Sequence, residues 1–277
     1  MRDNGRPGGR TKERALTRAP HSDQSPPVQR LRIRFARRGR LRFTSHRDFQ
    51  RAFERTLRRA AVPIAYSQGF SPHPRVSYAG AAPTGAASEA EYLEIAVTVR
   101  SDPVTVAGAL DAALPPGLDV LDVVEATGGS LADRLAASEW EIRLPGVAPD
   151  LVAGAVRAFL AAASVPVERR TKAGLRTLET RDAIVRLDVR REYSDPRCAI
   201  LRMVVRHGTP TVRPDDVLAG LRRVSDFAPP QPPMATRLAQ GPLDEESGTV
   251  GDPLEPDRGA ALPGPASAVE PAKPGDA

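Results

Sequence analysis

Residues 30–59 read RLRIRFARRGRLRFTSHRDFQRAFERTLRR, and this stretch predicts how the fold begins. Apolar side chains alternate with arginines along its first part, at Leu31, Ile33 and Phe35. This alternation is typical of a β-strand with one buried face and one basic face. Ser45, followed three residues later by Asp48, predicts a helix N-terminus, because both side chains can cap the first turn. The stretch therefore predicts a strand, a turn and a helix from about residue 46 to residue 60.

The predicted helix has one apolar face and one basic face. Its apolar residues recur every three or four positions, the pattern of a helix that packs on a core. The other face carries five arginines: Arg47, Arg51, Arg55, Arg58 and Arg59. Over residues 30–59 we count 12 arginines against two acidic residues, Asp48 and Glu54. A solvated helix usually mixes both signs of charge, so this excess predicts a polyanionic partner.

Charge is divided unevenly along the whole chain. The net charge is +6, and residues 1–100 hold 20 Lys or Arg residues against 8 Asp or Glu residues. The remaining residues hold 20 basic against 26 acidic side chains. Such asymmetry predicts a basic surface for nucleic acid in the first part of the chain and an acidic tail.

The order of the predicted elements indicates an α+β fold of two tandem ferredoxin-like (βαββαβ) units. The first unit covers residues 28–127, with strand, helix, strand, strand, helix and strand in turn. The same order, with an extra hairpin, predicts a second unit over residues 128–227. A basic leader at 1–27 and an acidic, Pro- and Gly-rich tail at 228–277 are predicted to be disordered.

An unusual loop, YSQGFSPHPRVSY at residues 66–78, follows the predicted helix. Rigid prolines, aromatic rings and polar side chains together suit ligand contact. Its aromatic side chains can stack on bases and its arginine can pair with phosphate, although Phe70 and Tyr78 can instead fill the core beneath the loop. The predicted RNA-binding residues come from the strand, the helix and the loop: Arg32, Arg34, Arg47, Arg51, Arg55, Arg58, Arg59, Tyr66, Phe70, His73, Arg75 and Tyr78.

The sequence offers few groups for catalysis. It lacks a phosphate-binding Walker loop, a dinucleotide-binding glycine motif, the zinc-protease His-Glu-x-x-His and the serine-hydrolase Gly-x-Ser-x-Gly. A metal-independent ribonuclease needs only a general base, an acid and cations. The candidates for these roles are His46, His73, Tyr66 and Arg75. A metal site at His46, Asp48 and His73 is the alternative use of those side chains. Because a helix cap already accounts for His46 and Asp48, we predict no metal and no cofactor.

The number of cysteines and the hydropathy of the chain predict the cellular compartment of the protein. The single cysteine, Cys198, excludes a disulfide within the chain and a site of four thiolates. No run approaches the ~20 apolar residues that span a bilayer. Residues 1–20 lack the apolar core of a secretory signal. We therefore expect a cytoplasmic protein with no membrane partner.

Three segments carry a resemblance to a known family: residues 41–48 (LRFTSHRD), 58–63 (RRAAVP) and 66–74 (YSQGFSPHP). They resemble the DUF2344 family, also called radical-SAM-associated proteins, over about residues 28–225. Members are either fused behind a radical SAM enzyme or encoded alone. With one cysteine, this chain lacks the Cys-x-x-x-Cys-x-x-Cys cluster motif and resembles the stand-alone form. The resemblance implies a radical SAM enzyme or an RNase E/G-type nuclease as partner, and it implies no catalytic residue.

We expect a non-enzymatic RNA-binding or accessory protein that acts with an RNA-modifying radical SAM enzyme or an RNA-processing enzyme. The expected RNA is tRNA or rRNA. Two alternatives remain open. One is a metal-independent endoribonuclease of Cas6-like architecture, because tandem ferredoxin-like units with a basic face resemble such enzymes. The other is a protein–protein adaptor that uses the Pro-rich, acidic tail.

Overall fold

The structure, a computed structural model, describes residues 25–171, 174–191, 195 and 197–258. These residues form an α+β fold with one large sheet and five α-helices. Within those ranges, no helix is both long enough and apolar enough to cross a membrane. Most of the predicted leader, residues 1–24, and the end of the predicted tail, residues 259–277, lie outside the described residues.

The first half of the sheet comes from the part of the chain that carries the basic stretch. Its elements, in chain order, are β1 (Gln29–Arg37), α1 (His46–Arg59), β2 (Val76–Ala79), β3 (Ala87–Val97), α2 (Pro103–Ala113) and β4 (Leu118–Glu125). The strands lie in the order β4-β1-β3, with β2 also paired to β3, and every pairing is antiparallel. Each helix therefore connects two strands that are not neighbours in the sheet.

The second half repeats this sequence of elements with a hairpin inserted. Its elements are β5 (Ala137–Pro145), α3 (Pro149–Ala161), β6 (Pro166–Thr171), β7 (Gly174–Glu179), β8 (Ile184–Val189), β9 (Cys198–Arg206), α4 (Pro214–Val224) and β10 (Met234–Gly241). Strands β6 and β7 form a separate two-stranded sheet. The other strands lie in the order β10-β5-β9-β8, again antiparallel.

Strand β10 joins the two halves into one eight-stranded sheet. It runs antiparallel to β5 and parallel to the start of β3, where Thr236 lies opposite Ala87. This corrects the expectation of a disordered tail from residue 228. The Pro- and Gly-rich composition around β10 does not indicate a strand. The strand is stabilised by hydrogen bonds to β3 on one side and to β5 on the other. The chain then continues through β11 (Leu243–Asp244), β12 (Thr249–Val250) and α5 (Glu255–Arg258).

Helix α1 covers the apolar face of β1, as the sequence predicts. The alternating apolar side chains of β1 are buried together with Phe49, Phe53 and Leu57 of the helix. The predicted cap is confirmed, because the Ser45 hydroxyl accepts a hydrogen bond from the Asp48 backbone N–H at 3.2 Å. Burial of about three large apolar side chains stabilises the pair by roughly 5–9 kcal/mol before chain entropy is counted.

The opposite face of β1 and β3 is covered by the end of the described chain. Leu254 packs there with Tyr92 and Val124 of the sheet and with Leu131 and Leu135 of the connection between the halves. Gly241, at the end of β10, allows this return, because a Cβ there would lie 2.1 Å from the Gly251 carbonyl oxygen. The sheet is therefore enclosed by residues that the sequence placed in a tail.

Candidate nucleic-acid interface

Helix α1 presents a row of arginines to solvent. Its outer face carries the exposed side chains of Arg47, Arg51, Arg55, Arg58 and Arg59. Within the described ranges, none of these five forms an ion pair. The nearby acid Asp48 instead accepts a hydrogen bond from the Ser45 hydroxyl at 2.7 Å. No carboxylate among the described residues therefore lies within ion-pair distance of these five arginines.

A short 3-10 helix, Gly39–Phe43, extends this basic surface ahead of α1. The chain turns at Gly39, where φ is +54°. Phe43 is consequently 59% exposed, and the Arg42 guanidinium carbon lies 4.6 Å from the centre of its ring. Sequence reasoning missed Phe43 as a surface aromatic; the Arg38-Gly39 turn was the signal that could have revealed it.

The loop between α1 and β2 is tied at its base and exposed at its tip. Tyr66 and Pro74 form a bridge, the Ser67 N–H donates to the His73 carbonyl at 2.8 Å, and the His73 N–H donates to the Ser67 hydroxyl at 3.0 Å. The backbone reverses at Gly69, whose φ of +125° disfavours any side chain. Phe70 at the tip is 97% exposed. Of the two roles proposed for Phe70, the structure favours the surface one, whereas Tyr66 is only half-exposed.

Tyr78 belongs to the packing under α1. Its ring meets the edge of His46 with centroids 5.2 Å apart and that of Phe49 at 6.0 Å. Burial raises the pKa of the Tyr78 hydroxyl, and the carboxylate of Glu54 raises it further. The ring contacts favour the second of the two roles proposed for Tyr78, which is to fill the core beneath the loop.

Two of the predicted phosphate contacts are engaged inside the protein. Arg32 is 1% exposed and donates hydrogen bonds to the carboxylates of Glu94 and Asp257. Arg34 is half-buried and donates from Nε to the Glu89 carbonyl at 2.9 Å. We therefore remove Arg32 from the predicted RNA contacts, because a buried and fully paired guanidinium cannot reach a phosphate. Arg34 is a poorer candidate for a phosphate contact, because its side chain is half-buried and its Nε already donates to a backbone carbonyl.

His46 and His73 line two different cavities. His46 borders a cavity of about 20 Å³ together with Arg37, Phe49 and Glu91. His73 borders a groove of about 450 Å³ on the side of β2. The structure thus does not bring the two candidate histidines into one site. Among the described residues, no group of three His, Cys, Asp or Glu side chains lies close enough to hold a metal ion.

The groove brings together polar residues from four segments. Its polar lining consists of Arg30 from β1, Ser67, His73 and Arg75 from the loop, Ser77 from β2 and Glu94 from β3. Of these, Arg30, Ser67, Ser77 and Glu94 were not singled out by the sequence. No local signal could have identified them, because β1, β2 and β3 become neighbours only when the sheet forms.

Comparison with curated proteins gives no match. A model of a protein family does match, over residues 30–214, and that family is described as an uncharacterized protein conserved in bacteria (DUF2344). The match covers more than half of the chain and includes β1, α1, the loop and the second half up to the start of α4. The protein therefore belongs to the DUF2344 family.

Proposed function

We propose that this protein binds RNA, without catalysing a reaction, and presents it to an RNA-modifying or RNA-processing enzyme. The observation that carries the proposal is the unpaired row of five exposed arginines on α1. Such a row suits a polyanion, because each phosphate that it neutralises releases condensed counterions.

The length of the row fits several phosphates. Arg47, Arg51 and Arg55 follow one another at intervals of four residues, which is ~6 Å along a helix axis. From Arg47 to Arg59 the helix rises ~18 Å. Along the axis of a stacked strand one phosphate charge follows another every ~3.4 Å, so this length spans about five of them.

Exposed aromatic rings favour RNA over other polyanions. Phe43, beside Arg42, precedes α1, and Phe70 lies on the loop that follows α1. An exposed Phe ring is a platform for an unpaired base, and proteins that bind single strands combine such platforms with basic grooves. The arrangement therefore favours single-stranded or looped regions of a structured RNA such as tRNA or rRNA.

The endoribonuclease alternative finds less support. It needs a base and an acid close to one phosphodiester. His46 and His73, the two histidine candidates for these roles, line separate cavities. We accordingly expect RNA incubated with the protein in EDTA to stay intact. Cuts that end in cyclic phosphates and that disappear in His73→Ala would establish the alternative instead.

The proposal extends to architecture and partner. The βαββαβ order of the first half, and the same order with an inserted hairpin in the second half, support the interpretation of two ferredoxin-like units joined through β3 and β10. The resemblance to stand-alone DUF2344 proteins implies a radical SAM enzyme or an RNase E/G-type nuclease as partner. We propose that the complex acts in the cytoplasm.

The decisive experiment removes charge from α1 and compares it with an equal loss elsewhere. The test variant carries Arg51→Gln, Arg55→Gln and Arg58→Gln, all on exposed positions of α1. The control carries Arg157→Gln, Arg222→Gln and Arg223→Gln, which are exposed positions of α3 and α4. Binding of labelled tRNA is measured over a range of salt concentrations.

The two variants are expected to differ in salt dependence. Each lost phosphate contact lowers the slope of log affinity against log salt by ~0.7 for single-stranded RNA, so the test variant should lose about 2 units. The control should keep the wild-type slope. Equal slopes in all three proteins would overturn the proposal.

A further inference from the structure

The groove beside β2 is separate from the outer face of α1 and has its own chemistry. It is lined by residues of β1, the loop, β2 and β3, and its volume is about 450 Å³, within the ~300–1,000 Å³ typical of small-molecule sites. Two arginines, a histidine, two serines and one carboxylate face it: Arg30, Arg75, His73, Ser67, Ser77 and Glu94. Cations and hydroxyls around one carboxylate match an anion that also carries hydroxyl groups.

The backbone holds the loop side of this groove rigidly. Arg75 donates its N–H to the Ala65 carbonyl at 2.7 Å, and its own carbonyl accepts from the Ala96 N–H at 3.1 Å. His73 is tied to Ser67 by the two hydrogen bonds at the loop base and stands between two prolines. The directions in which these side chains leave the backbone are thus set before any ligand binds, which lowers the entropic cost of binding.

The charges in the groove leave an excess of positive charge. Glu94 is held by the buried Arg32, whose Nε donates to it at 3.0 Å. Arg30 reaches Glu94 only at 3.6 Å, with two thirds of its side chain exposed. Arg75 is exposed and has no ion pair with any described acid. Arginine forms paired hydrogen bonds with phosphate oxygens, so Arg30 and Arg75 fit a phosphate group.

We propose that this groove binds the phosphorylated ribose of one nucleotide, with Arg30, His73 and Arg75 on the phosphate and Glu94 on a ribose hydroxyl. Glu94 can accept from such a hydroxyl because the hydrogen bond from Arg32 Nε, at 3.0 Å, orients its carboxylate. The inference rests on the proposed function, since the loop that carries His73 and Arg75 also carries Phe70. The nucleotide is either the phosphorylated end of a bound RNA or a free mononucleotide.

The first experiment titrates small probes into the full chain by calorimetry. Adenosine 5′-monophosphate and adenosine 3′-monophosphate are compared with adenosine and with inorganic phosphate. We expect saturable binding of at least one monophosphate, and binding of adenosine and of phosphate at least about tenfold weaker. Arg75→Gln and Arg30→Gln should each lower the affinity for the monophosphate about tenfold, which is the effect of losing one charge-assisted contact. Arg157→Gln, which lies far along the chain on α3, should leave the affinity for the monophosphate unchanged.

The second experiment separates the two sources of the nucleotide. Short RNAs with a phosphate or a hydroxyl at each end are bound to wild type and to Arg75→Gln. A preference for a phosphorylated end that Arg75→Gln abolishes supports the inference with an RNA end as ligand. Monophosphate binding with no end preference supports it with a free nucleotide.

Failure of this inference is distinguishable from failure of the proposed function. Absence of monophosphate binding together with no end preference would overturn the groove site, as would binding that neither Arg30→Gln nor Arg75→Gln affects. The RNA-binding proposal would then still stand if the triple substitution on α1 lowers the salt slope. If monophosphate binding and end preference were absent and the α1 variant also kept the wild-type salt slope, both proposals would be refuted.

Discussion

The guanidinium of Arg32 donates from one nitrogen to both carboxylate oxygens of Asp257, at 3.0 and 2.8 Å, across 225 residues of sequence. Both side chains are buried, and Asp257 also accepts from Arg134 and from Thr127. This ion pair therefore connects β1 to α5, the last helix among the described residues. An arginine expected on a basic surface and an acid expected in a loose tail form one internal ion pair.

We expect Asp257→Asn to destabilise the protein by about 3–5 kcal/mol, because the change removes the carboxylate that pairs with both the buried Arg32 and Arg134 and leaves Arg32 with Glu94 alone. Urea unfolding at neutral pH measures this loss. Glu246→Gln is the matched control, since it removes one negative charge from an exposed turn nearby. It should change the free energy of unfolding by less than about 0.5 kcal/mol. Equal effects of the two substitutions would contradict the role assigned to Asp257.

The same pair predicts an acid-dependent loss of stability. Burial alone raises the pKa of Asp257, but hydrogen bonds from Arg134, Thr127 and Arg32 outweigh it and lower the pKa from 3.8 to about 2. A carboxyl with a lowered pKa stabilises the folded state fully above its unfolded pKa, near 4, and this contribution disappears as the pH falls towards 2. Unfolding of wild type and Asp257→Asn is compared between pH 7 and pH 2. Their difference should shrink by about 2 kcal/mol on acidification; a constant difference would refute the assignment.

A second buried pair couples the two halves of the sheet. Arg237 of β10 is 2% exposed and donates to Glu91 of β3, to the Gly80 carbonyl and to the Ser88 hydroxyl. Either Glu91→Leu or Arg237→Met alone should cost about 3–5 kcal/mol, because each leaves one charge buried and unpaired. The double variant should lower the free energy of unfolding by clearly less than the sum of the losses in the two single variants. Denaturant unfolding of all four proteins gives the coupling energy, and strict additivity would argue against a coupled pair.

Phe70 provides a test of base stacking. Phe70→Ala should leave stability unchanged within about 0.5 kcal/mol, because the ring is exposed. It should weaken binding of single-stranded RNA by about 1–3 kcal/mol, the contribution of one stacked base. Duplex RNA of equal charge is the control ligand, and its affinity should barely change. An equal loss for both RNAs would mean that Phe70 supports the loop rather than a base.

Much of the first half followed from local chemistry. The alternation in β1 and the three-to-four-residue spacing in α1 assign buried faces, because side chains repeat every two residues in a strand and every 3.6 in a helix. The Ser45 cap followed from the need to satisfy free N–H groups at a helix start. These rules also put Arg51 and Arg55 opposite the core, and the structure leaves both exposed.

The sequence by itself determined which face of each element is polar, and only the tertiary structure decided which polar face meets water. Arg30 and Arg32 lie on the same face of β1, yet two thirds of the Arg30 side chain is exposed and only 1% of Arg32. The difference arises because Asp257, from a Pro- and Gly-rich region, folds back over Arg32. In the same way β10 becomes a central strand because β3 and β5 hydrogen-bond to it. The local sequence pattern determines how side chains are spaced along a strand or helix. Their burial depends on residues distant in sequence that pack against them in the folded protein.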